Sequence, residues 1–214
     1  MAEVRSEPVV LRTARILLRP LTVADRDAFV ELHLDPRVSS VVGSYDGPGA
    51  VRRLERFEQQ WDARGYGMFA MLLPDAGLVG RCGFVFWPDR GPQGAGETEI
   101  GWVLDPRHWG RGLATEAASA VLDWGFGSGP GHPGLTHVTA MIAPDNDRSI
   151  AIALRLGLRP ERDEDFNGKR VRVYTVNRDG WPPGSTMLLS PAVPVRTWSH
   201  KPTPGRSQNP RPNR

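Results

Sequence analysis

A strand that passes through a short glycine-containing loop into a helix is the most informative segment of this chain. Residues 97–104 (ETEIGWVL) read as an apolar strand, Gly110 and Gly112 follow in the loop, and a helix is predicted from Leu113. Unpaired N–H groups and the dipole at a helix N-terminus favour anions, and glycine lets a phosphate approach the main chain. The segment therefore predicts a site for a pyrophosphate-bearing ligand, although glycines also form ordinary tight turns.

Two common nucleotide-binding motifs fit this segment poorly. A P-loop would need Lys-Ser/Thr directly after the second glycine, where Leu113 and Ala114 stand. The dinucleotide fingerprint would need a third glycine three positions after Gly112, where Thr115 stands.

The remaining sequence alternates short apolar runs with helical periodicity, which indicates an α/β layered domain with a mixed sheet. Turns between the central strands suggest antiparallel neighbours. The first helix is expected to stop at Asp35-Pro36, and a loop is expected over 43–49. The predicted strands are 16–18, 67–73, 78–87, 97–104, 137–142 and 170–176, and the predicted helices are 23–34, about 51–64, about 113–125 and about 146–156.

Composition narrows the class of protein. With 39% hydrophobic residues the 214-residue chain can bury a core, and it has no apolar run long enough to span a bilayer and no apolar stretch at its start. The single cysteine, Cys82, excludes an internal disulfide framework and a cysteine-based zinc site, and is expected to be a core residue. His108, His132 and His137 lack metal-ligand spacing. We expect a cytoplasmic protein with no membrane contact and no metal.

The basic character of the chain is concentrated near one end. Residues 178–214 hold six basic residues, one acid and eight of the twenty prolines, a net charge of +5 against +3 for the whole chain. Such a segment cannot bury enough apolar surface to fold, so we predict a domain over 13–177 and a flexible tail over 178–214. The tail is either a solvated appendage or a binding segment for an acidic partner such as ribosomal RNA.

Several motifs in order resemble one known family. The run from Arg107 to Gly112 (RHWGRG) is similar to the Arg/Gln-x-x-Gly-x-Gly/Ala acyl-CoA motif of the GNAT superfamily of N-acetyltransferases. The longer run 109–117 (WGRGLATEA) resembles the branch that contains the ribosomal-protein N-terminal acetyltransferases. Residues 17–21, 146–149 and 156–158 add further matches, so that the resemblance covers roughly 13–176. It implies a GNAT fold: a central mixed, mostly antiparallel sheet with a splayed parallel strand pair and flanking helices.

The resemblance also implies where acetyl-CoA binds. The ligand would lie between the strands that end near Leu104 and Ile142, with main-chain groups of Val103 and Leu104 pairing with the pantetheine arm. Asn146 would reach that arm from the far side. Arg107 or Arg111 would add charge near the phosphates, although each also reads as a solvated side chain. The pyrophosphate would be held by N–H groups of the residues Trp109, Gly110, Arg111, Gly112, Leu113 and Ala114.

Acetyl transfer needs a neutral amine, a stabilised thioester oxygen and a proton for the departing thiolate. Glu99 on the central strand is the predicted base, direct or through water, with Glu97 on the same face in reserve; an ion pair with an arginine is the structural alternative. Many family members carry a leaving-group Tyr where this sequence has Ala153. Ser149 is the replacement that the ribosomal branch suggests, unless it merely caps its helix.

The sequence therefore predicts an acetyl-CoA-dependent N-acetyltransferase that acts on a primary amine in a ternary complex. The first expected acceptor is a protein N-terminus, by resemblance a ribosomal one. The alternative acceptor is a small amine, such as an aminoglycoside, polyamine or amino-acid derivative. The alternative function is a non-catalytic acyl-CoA-binding module. Segments 41–49 and 88–96, with Trp87, are expected near the acceptor entrance. A homodimer is left open.

Overall fold

A computed structural model describes residues 9–89 and 94–181 of the chain. The described residues form an eight-stranded sheet with helices on both faces. The strands are β1 (Leu11–Arg12), β2 (Leu17–Pro20), β3 (Met68–Leu73), β4 (Gly77–Trp87), β5 (Glu97–Leu104), β6 (His137–Ile142), β7 (Arg159–Phe166) and β8 (Lys169–Asn177). The helices are α1 (Arg26–Leu34), α2 (Pro36–Val42), α3 (Gly47–Arg64), α4 (Leu113–Phe126) and α5 (Asp147–Arg155), with 3-10 turns at Val23–Asp25, Pro106–His108 and Arg178–Gly180.

The strand order is β1-β2-β3-β4-β5-β6-β8-β7. Every neighbouring pair is antiparallel except β5 and β6, which run parallel. Between the described residues of β5 and β6, the ladder consists of the single pair Glu99 and Thr139. The two strands separate beyond that pair, as the predicted splayed arrangement requires.

Apolar residues fill both faces of the sheet. On one face, Phe84 and Ile100 pack with Trp124 of α4 in the larger core. On the other, Met68 and Ala70 pack with helices α1 and α3. Cys82 is fully buried in the larger core, as predicted, and burial raises the pKa of its thiol to about 12. Because side chains alternate along β5, Glu97, Glu99, Gly101 and Val103 face the α1 and α3 side.

The structure corrects three parts of the predicted element order. Asp35 does end the first helix, but its side chain accepts from the N–H of Arg37 and caps a new helix, α2, with Pro36 in its first turn. The expected 43–49 loop is shorter because Asp46 caps α3, which begins at Gly47. The charged segment Arg159–Phe166, which lacks an apolar pattern, forms the edge strand β7, held to β8 partly by ion pairs from Asp163.

Contacts of the domain extend on either side of the predicted 13–177. Strand β1 pairs with β2 through Leu11 and Arg12. Trp181 packs against Phe126 and donates its indole N–H to Asp123 at 2.6 Å. The rest of the predicted tail, 182–214, lies outside the described residues. Within the described part, the helices are too short or too polar to cross a membrane.

Candidate active site

The residues before α4 form a loop suited to an anion. Gly110 and Gly112 have φ values of 74° and 75°, a conformation that favours glycine. Gly112 occupies the cap position of α4 without a side-chain cap, so the N–H groups of Leu113, Ala114 and Thr115 have no partner inside the helix. A Cβ built on Gly110 meets no described atom within 4 Å. We call residues 109–112 the glycine loop; a phosphate can approach its main chain closely.

Side chains around the glycine loop fix its shape. Arg15 donates to the carbonyl of Arg111 at 2.8 Å, and Glu116 on α4 accepts from Arg15 and from the hydroxyl of Thr13. Glu116 thus ties the segment between β1 and β2 to α4. A cavity of about 350 Å³ beside the loop is lined in part by Arg15, His108 and Arg111.

The predicted arginine contacts are placed differently from one another. The side chain of Arg107 is 71% exposed and pairs with Asp105 at 2.5 Å. That hydrogen bond raises the pKa of Arg107, and the pairing competes with a contact to phosphate. Arg111 stays on the loop and contacts Nδ1 of His108 at 3.1 Å. Two arginines that the sequence reading omitted, Arg37 and Arg148, have guanidinium carbons 5.7 and 4.7 Å from the Trp109 ring.

Beyond Glu99, the β5 edge lies open toward β6. The carbonyl of Leu104 accepts the indole N–H of Trp109 at 2.7 Å, so Leu104 has one main-chain group already engaged. Val103 packs its side chain with Leu32 and Val38, and its pairing with Arg81 directs its main-chain groups toward β4. A pantetheine arm laid along the open edge would therefore meet the N–H of Leu104 first.

Glu99 lies at the point where the two strands part. Its Oε2 accepts from Nε1 of Trp87 at 2.7 Å, and its Oε1 lies 3.5 Å from the N–H of Met141 on β6. Trp87, which the sequence placed only near the acceptor entrance, therefore holds the carboxylate in place. Glu97, the reserve base, pairs with Arg162 of β7 at 2.9 and 3.0 Å. Glu97 thus forms an arginine pair of the kind considered as the structural alternative for Glu99.

The start of α5 carries Asn146, predicted to contact the pantetheine arm, and Ser149, predicted to protonate the departing thiolate. The side chain of Asn146 accepts from the N–H of Ser149 at 3.1 Å and caps the helix. Ser149 is therefore not the cap, which removes the structural alternative considered for it and leaves its half-buried hydroxyl for another role. Ala153 is fully buried in the core one turn further on.

Polar side chains on the other face of the sheet form a group that the sequence reading missed. We call it the inner cluster: His33 of α1, Tyr45, Arg53 of α3, Arg81 of β4 and Glu99 of β5. Arg81 is only 7% exposed and His33 is fully buried. The rings of His33 and Tyr45 lie 5.0 Å apart, and the Arg53 and Arg81 guanidinium carbons lie 4.7 and 5.9 Å from the Phe57 ring. The one sequence signal was Arg81, a single charge within the apolar strand 77–87.

Burial sets the charge states in the inner cluster. It lowers the pKa of His33 to about 4, with help from the positive charge of Arg81, while Nδ1 of His33 donates to the carbonyl of Phe29. It also lowers the pKa of Arg81 to about 10. At neutral pH the cluster therefore holds a neutral histidine and two charged arginines.

Comparison with known proteins identifies the family. The sequence pattern of the acetyltransferase (GNAT) domain matches residues 15–159, more than half of the chain. The chain belongs to the GNAT acetyltransferase family. It is 28% identical over 172 residues to the "Uncharacterized N-acetyltransferase p20" of Bacillus licheniformis, across 77% of this chain and 92% of the relative. It is 31% identical over 170 residues to the "Uncharacterized protein YkkB" of Bacillus subtilis, across 77% and 93%.

Solved structures agree with this assignment. A putative GNAT-family acetyltransferase from Bordetella pertussis superposes with a TM-score of 0.68 at 31% identity, over 78% of this chain and 98% of that one. A ribosomal L7/L12 alpha-N-protein acetyltransferase solved in complex with coenzyme A has a TM-score of 0.64 at 16% identity, over 80% of this chain and 99% of that one, which shows the fold alone. The GNAT fold and the acetyltransferase assignment predicted from the sequence are thereby confirmed.

The described part of the chain was predicted to hold no metal ion, and its possible metal-ligating side chains are scattered. Across residues 9–89 and 94–181, no group of three His, Cys, Asp or Glu side chains is placed to hold a metal ion. Part of the predicted acceptor entrance, 90–93, lies outside these ranges.

Proposed function

We propose that this GNAT acetyltransferase moves an acetyl group from acetyl-CoA to a primary amine, with Glu99 as the base. The observation that carries the proposal is the position of Glu99 at the one pair that joins β5 and β6, held by Trp87. In that place its carboxylate faces the α1 and α3 side, while the glycine loop follows the far end of the same strand.

The chain supports acetyl-CoA binding through its main chain. The unpaired N–H groups of Leu113 and Ala114, with the open approach over Gly110 and Gly112, fit a pyrophosphate. Trp109 and Arg111 complete the glycine loop, and Asn146 lies at the start of α5 across the open edge. Leu104 serves the pantetheine arm through its N–H, because its carbonyl accepts from Trp109, and Val103 lies beside it on the strand. We assign Arg107 no phosphate contact, because Asp105 holds it.

The bound co-substrate supplies an activated acetyl thioester. Glu99 takes a proton from the ammonium form of the acceptor, directly or through water, so that the nitrogen has a free pair for attack. The N–C bond forms as the C–S bond breaks, and the electron pair of that bond leaves on sulfur. Ser149, whose hydroxyl is not used for capping, donates a proton to the departing thiolate. The attacking nitrogen gives up its second proton as the amide forms, and that proton restores the hydroxyl of Ser149. The proton taken by Glu99 passes to solvent, so the net products are the amide, the free thiol and one proton.

A protein N-terminus is the first acceptor class that the resemblance to the ribosomal branch suggests, and a small amine is the second. A putative ribosomal-protein-serine acetyltransferase from Vibrio cholerae superposes with a TM-score of 0.62 at 19% identity, which shows a shared fold and does not choose between the two classes. The chemistry at Glu99 is the same for both classes.

Release of free thiol from acetyl-CoA, measured across a panel of peptides and small amines, tests the proposal. Glu99→Gln should lower kcat by about 100-fold or more, because a positioned base contributes on that scale, while CoA affinity stays nearly constant. Glu97→Gln is the matched comparison on the same face of the same strand. Unchanged turnover in Glu99→Gln would remove Glu99 from the mechanism, and tight CoA binding with no turnover on any amine would indicate a binding module.

A further inference from the structure

The inner cluster contains a buried cation without an anionic partner. Arg81 forms no ion pair with any described acidic side chain, its Nε has no hydrogen-bond partner, and its Nη1 contacts only the sulfur of Met68, at 3.8 Å. Removing a guanidinium from water without pairing it is expensive. Among the described residues Arg81 therefore has counter-charges only at a distance and no direct ion-pair partner.

Arg53 adds a second positive charge beside the first. Its Nε is also buried without a partner, and its positive charge, after burial, lowers the pKa of Arg81. Glu99 and Tyr45 act on both arginines in the opposite direction, and Oε2 of Glu99 is engaged by Trp87.

An open space lies between Arg81 and Glu99. In the β4–β5 ladder, Arg81 pairs with Val103, Gly83 with Gly101, and Val85 with Glu99, so Gly101 lies between the other two rows. A Cβ built on Gly101 meets no described atom within 4 Å. The sulfur that Arg81 contacts belongs to Met68 of β3, which pairs with Gly83, so the guanidinium extends along β4 to the level of the Gly83–Gly101 row, on the β3 side of that row.

We propose that this space binds a carboxylate of the acceptor, with Arg81 and Arg53 as the anion-binding residues and the amine directed at Glu99. The inference rests on the proposed acetyl transfer and narrows its substrate to amines that carry a carboxylate a few ångströms from the nitrogen. The rows of Arg81 and Glu99 are four residues, or about 13 Å, apart along β5, and both side chains reach into that interval, which leaves a span of a few ångströms for an amine and a carboxylate. Arginine suits the role because its planar donors match a carboxylate.

Two sources offer this chemistry: a free amino acid, or an acidic side chain near a peptide N-terminus. The experiment compares free amino acids with their carboxamides, and C-terminally amidated peptides that carry Asp or Asn at the second position. In each pair only the carboxylate differs. The arm that shows the larger carboxylate preference identifies the source.

The expected result is a kcat/KM at least 10-fold higher for the carboxylate member of one pair. Arg81→Gln and Arg53→Gln should reduce that preference about 10-fold or more while the amide member reacts as before. Arg56→Gln, on the exposed side of α3, is the matched control and should keep the preference. Equal rates within every pair, or equal losses for both members in the variants, would overturn the inference while the acetyl transfer itself stands.

A melting temperature separates ligand binding from a structural role for Arg81. Because replacing an unpaired buried charge with a neutral side chain does not cost stability, Arg81→Gln should melt no lower than the unchanged protein. If Arg81→Gln fails to fold, Arg53→Gln, on the half-buried surface of α3, decides the question by itself. Absence of turnover on every amine, with CoA still bound, is the distinct result that contradicts the proposed function.

Discussion

The glycine loop and the inner cluster both lie beside β5 and are assembled in different ways. The glycine loop is main chain: two left-handed glycines and the first turn of α4, contiguous in the sequence. The inner cluster is made of side chains from α1, α3, β4 and β5, which only the fold brings together. A site for a shared co-substrate can be built from backbone geometry, whereas a site for a particular acceptor needs particular side chains.

The strongest way to break this contrast is to change the backbone of the glycine loop. Gly110→Val forces a branched side chain into a left-handed conformation and fills the open approach. We expect CoA affinity to fall about 100-fold, since such strain and lost contacts cost a few kcal/mol. Calorimetric titration with CoA measures it.

Gly168→Val is the matched control for that experiment. Gly168 has the same φ of 74° but lies in the turn between β7 and β8, far from α4 in the sequence. It should lose stability and keep CoA affinity. Normal CoA binding by Gly110→Val would refute the assignment of the loop.

Between pH 7 and pH 5, acid should act on the inner cluster through His33. Burial holds the pKa of His33 near 4 in the folded protein against 6.5 as a model group, so the unfolded chain binds more protons between those values. Stability is therefore complete above about pH 6.5 and is lost as the pH falls; from pH 7 to pH 5 the loss is about 2 kcal/mol.

Urea unfolding at the two pH values measures this loss, and His33→Gln should remove it. His137→Gln, at a half-buried strand position, provides the comparison and should retain the pH dependence. The same loss in His33→Gln would show that other groups produce it.

A substitution at Ser149 tests whether its hydroxyl protonates the departing thiolate. Ser149→Ala keeps the cap that Asn146 provides through the main chain of residue 149, so folding should be unaffected. We expect kcat to fall about 10-fold, at the lower end of general acid effects, with CoA affinity constant. Ser119→Ala, at a half-buried position on α4, is the control for stopped-flow or steady-state rates. An unchanged kcat would mean that the thiolate leaves without this hydroxyl.

The smallest expected effect concerns how Glu99 is held. Trp87→Phe removes the 2.7 Å donor to Glu99 but keeps a ring against Phe166. Loss of one such hydrogen bond is worth about 1 kcal/mol, so kcat should fall about fivefold. Trp181→Phe loses a comparable bond to Asp123 and should change the melting temperature instead of kcat. Equal kinetics in both variants would leave Trp87 without a positioning role.

The same contrast explains which features the sequence revealed. Short apolar runs bounded by turn residues predicted strands β3, β4, β5 and β6 closely. Helix α2 was missed because Asp35-Pro36 both ends one helix and begins the next, and only tertiary packing of Val38 decides that a second helix forms. Strand β7 was missed because its charged side chains are stabilised by ion pairs with β8 rather than by burial.

For the site, contiguous motifs were readable and distributed ones were not. The segment 107–114 and Glu99 were selected from local pattern and family resemblance. Arg53 and His33 gave no comparable signal, since each reads as an ordinary helical residue until α1 and α3 are placed over the sheet. The pairing of Arg107 with Asp105, two residues earlier, is local but depends on rotamers that a sequence does not specify.

The single pair between β5 and β6 has a mechanical consequence. In the described structure, the strand sets β1–β5 and β6–β8 are joined within the sheet by the single ladder pair of Glu99 and Thr139. When such halves open or close, displacement grows with distance from the joint. Glu99 would then be the residue that moves least while the mouth widens to admit one molecule and release another.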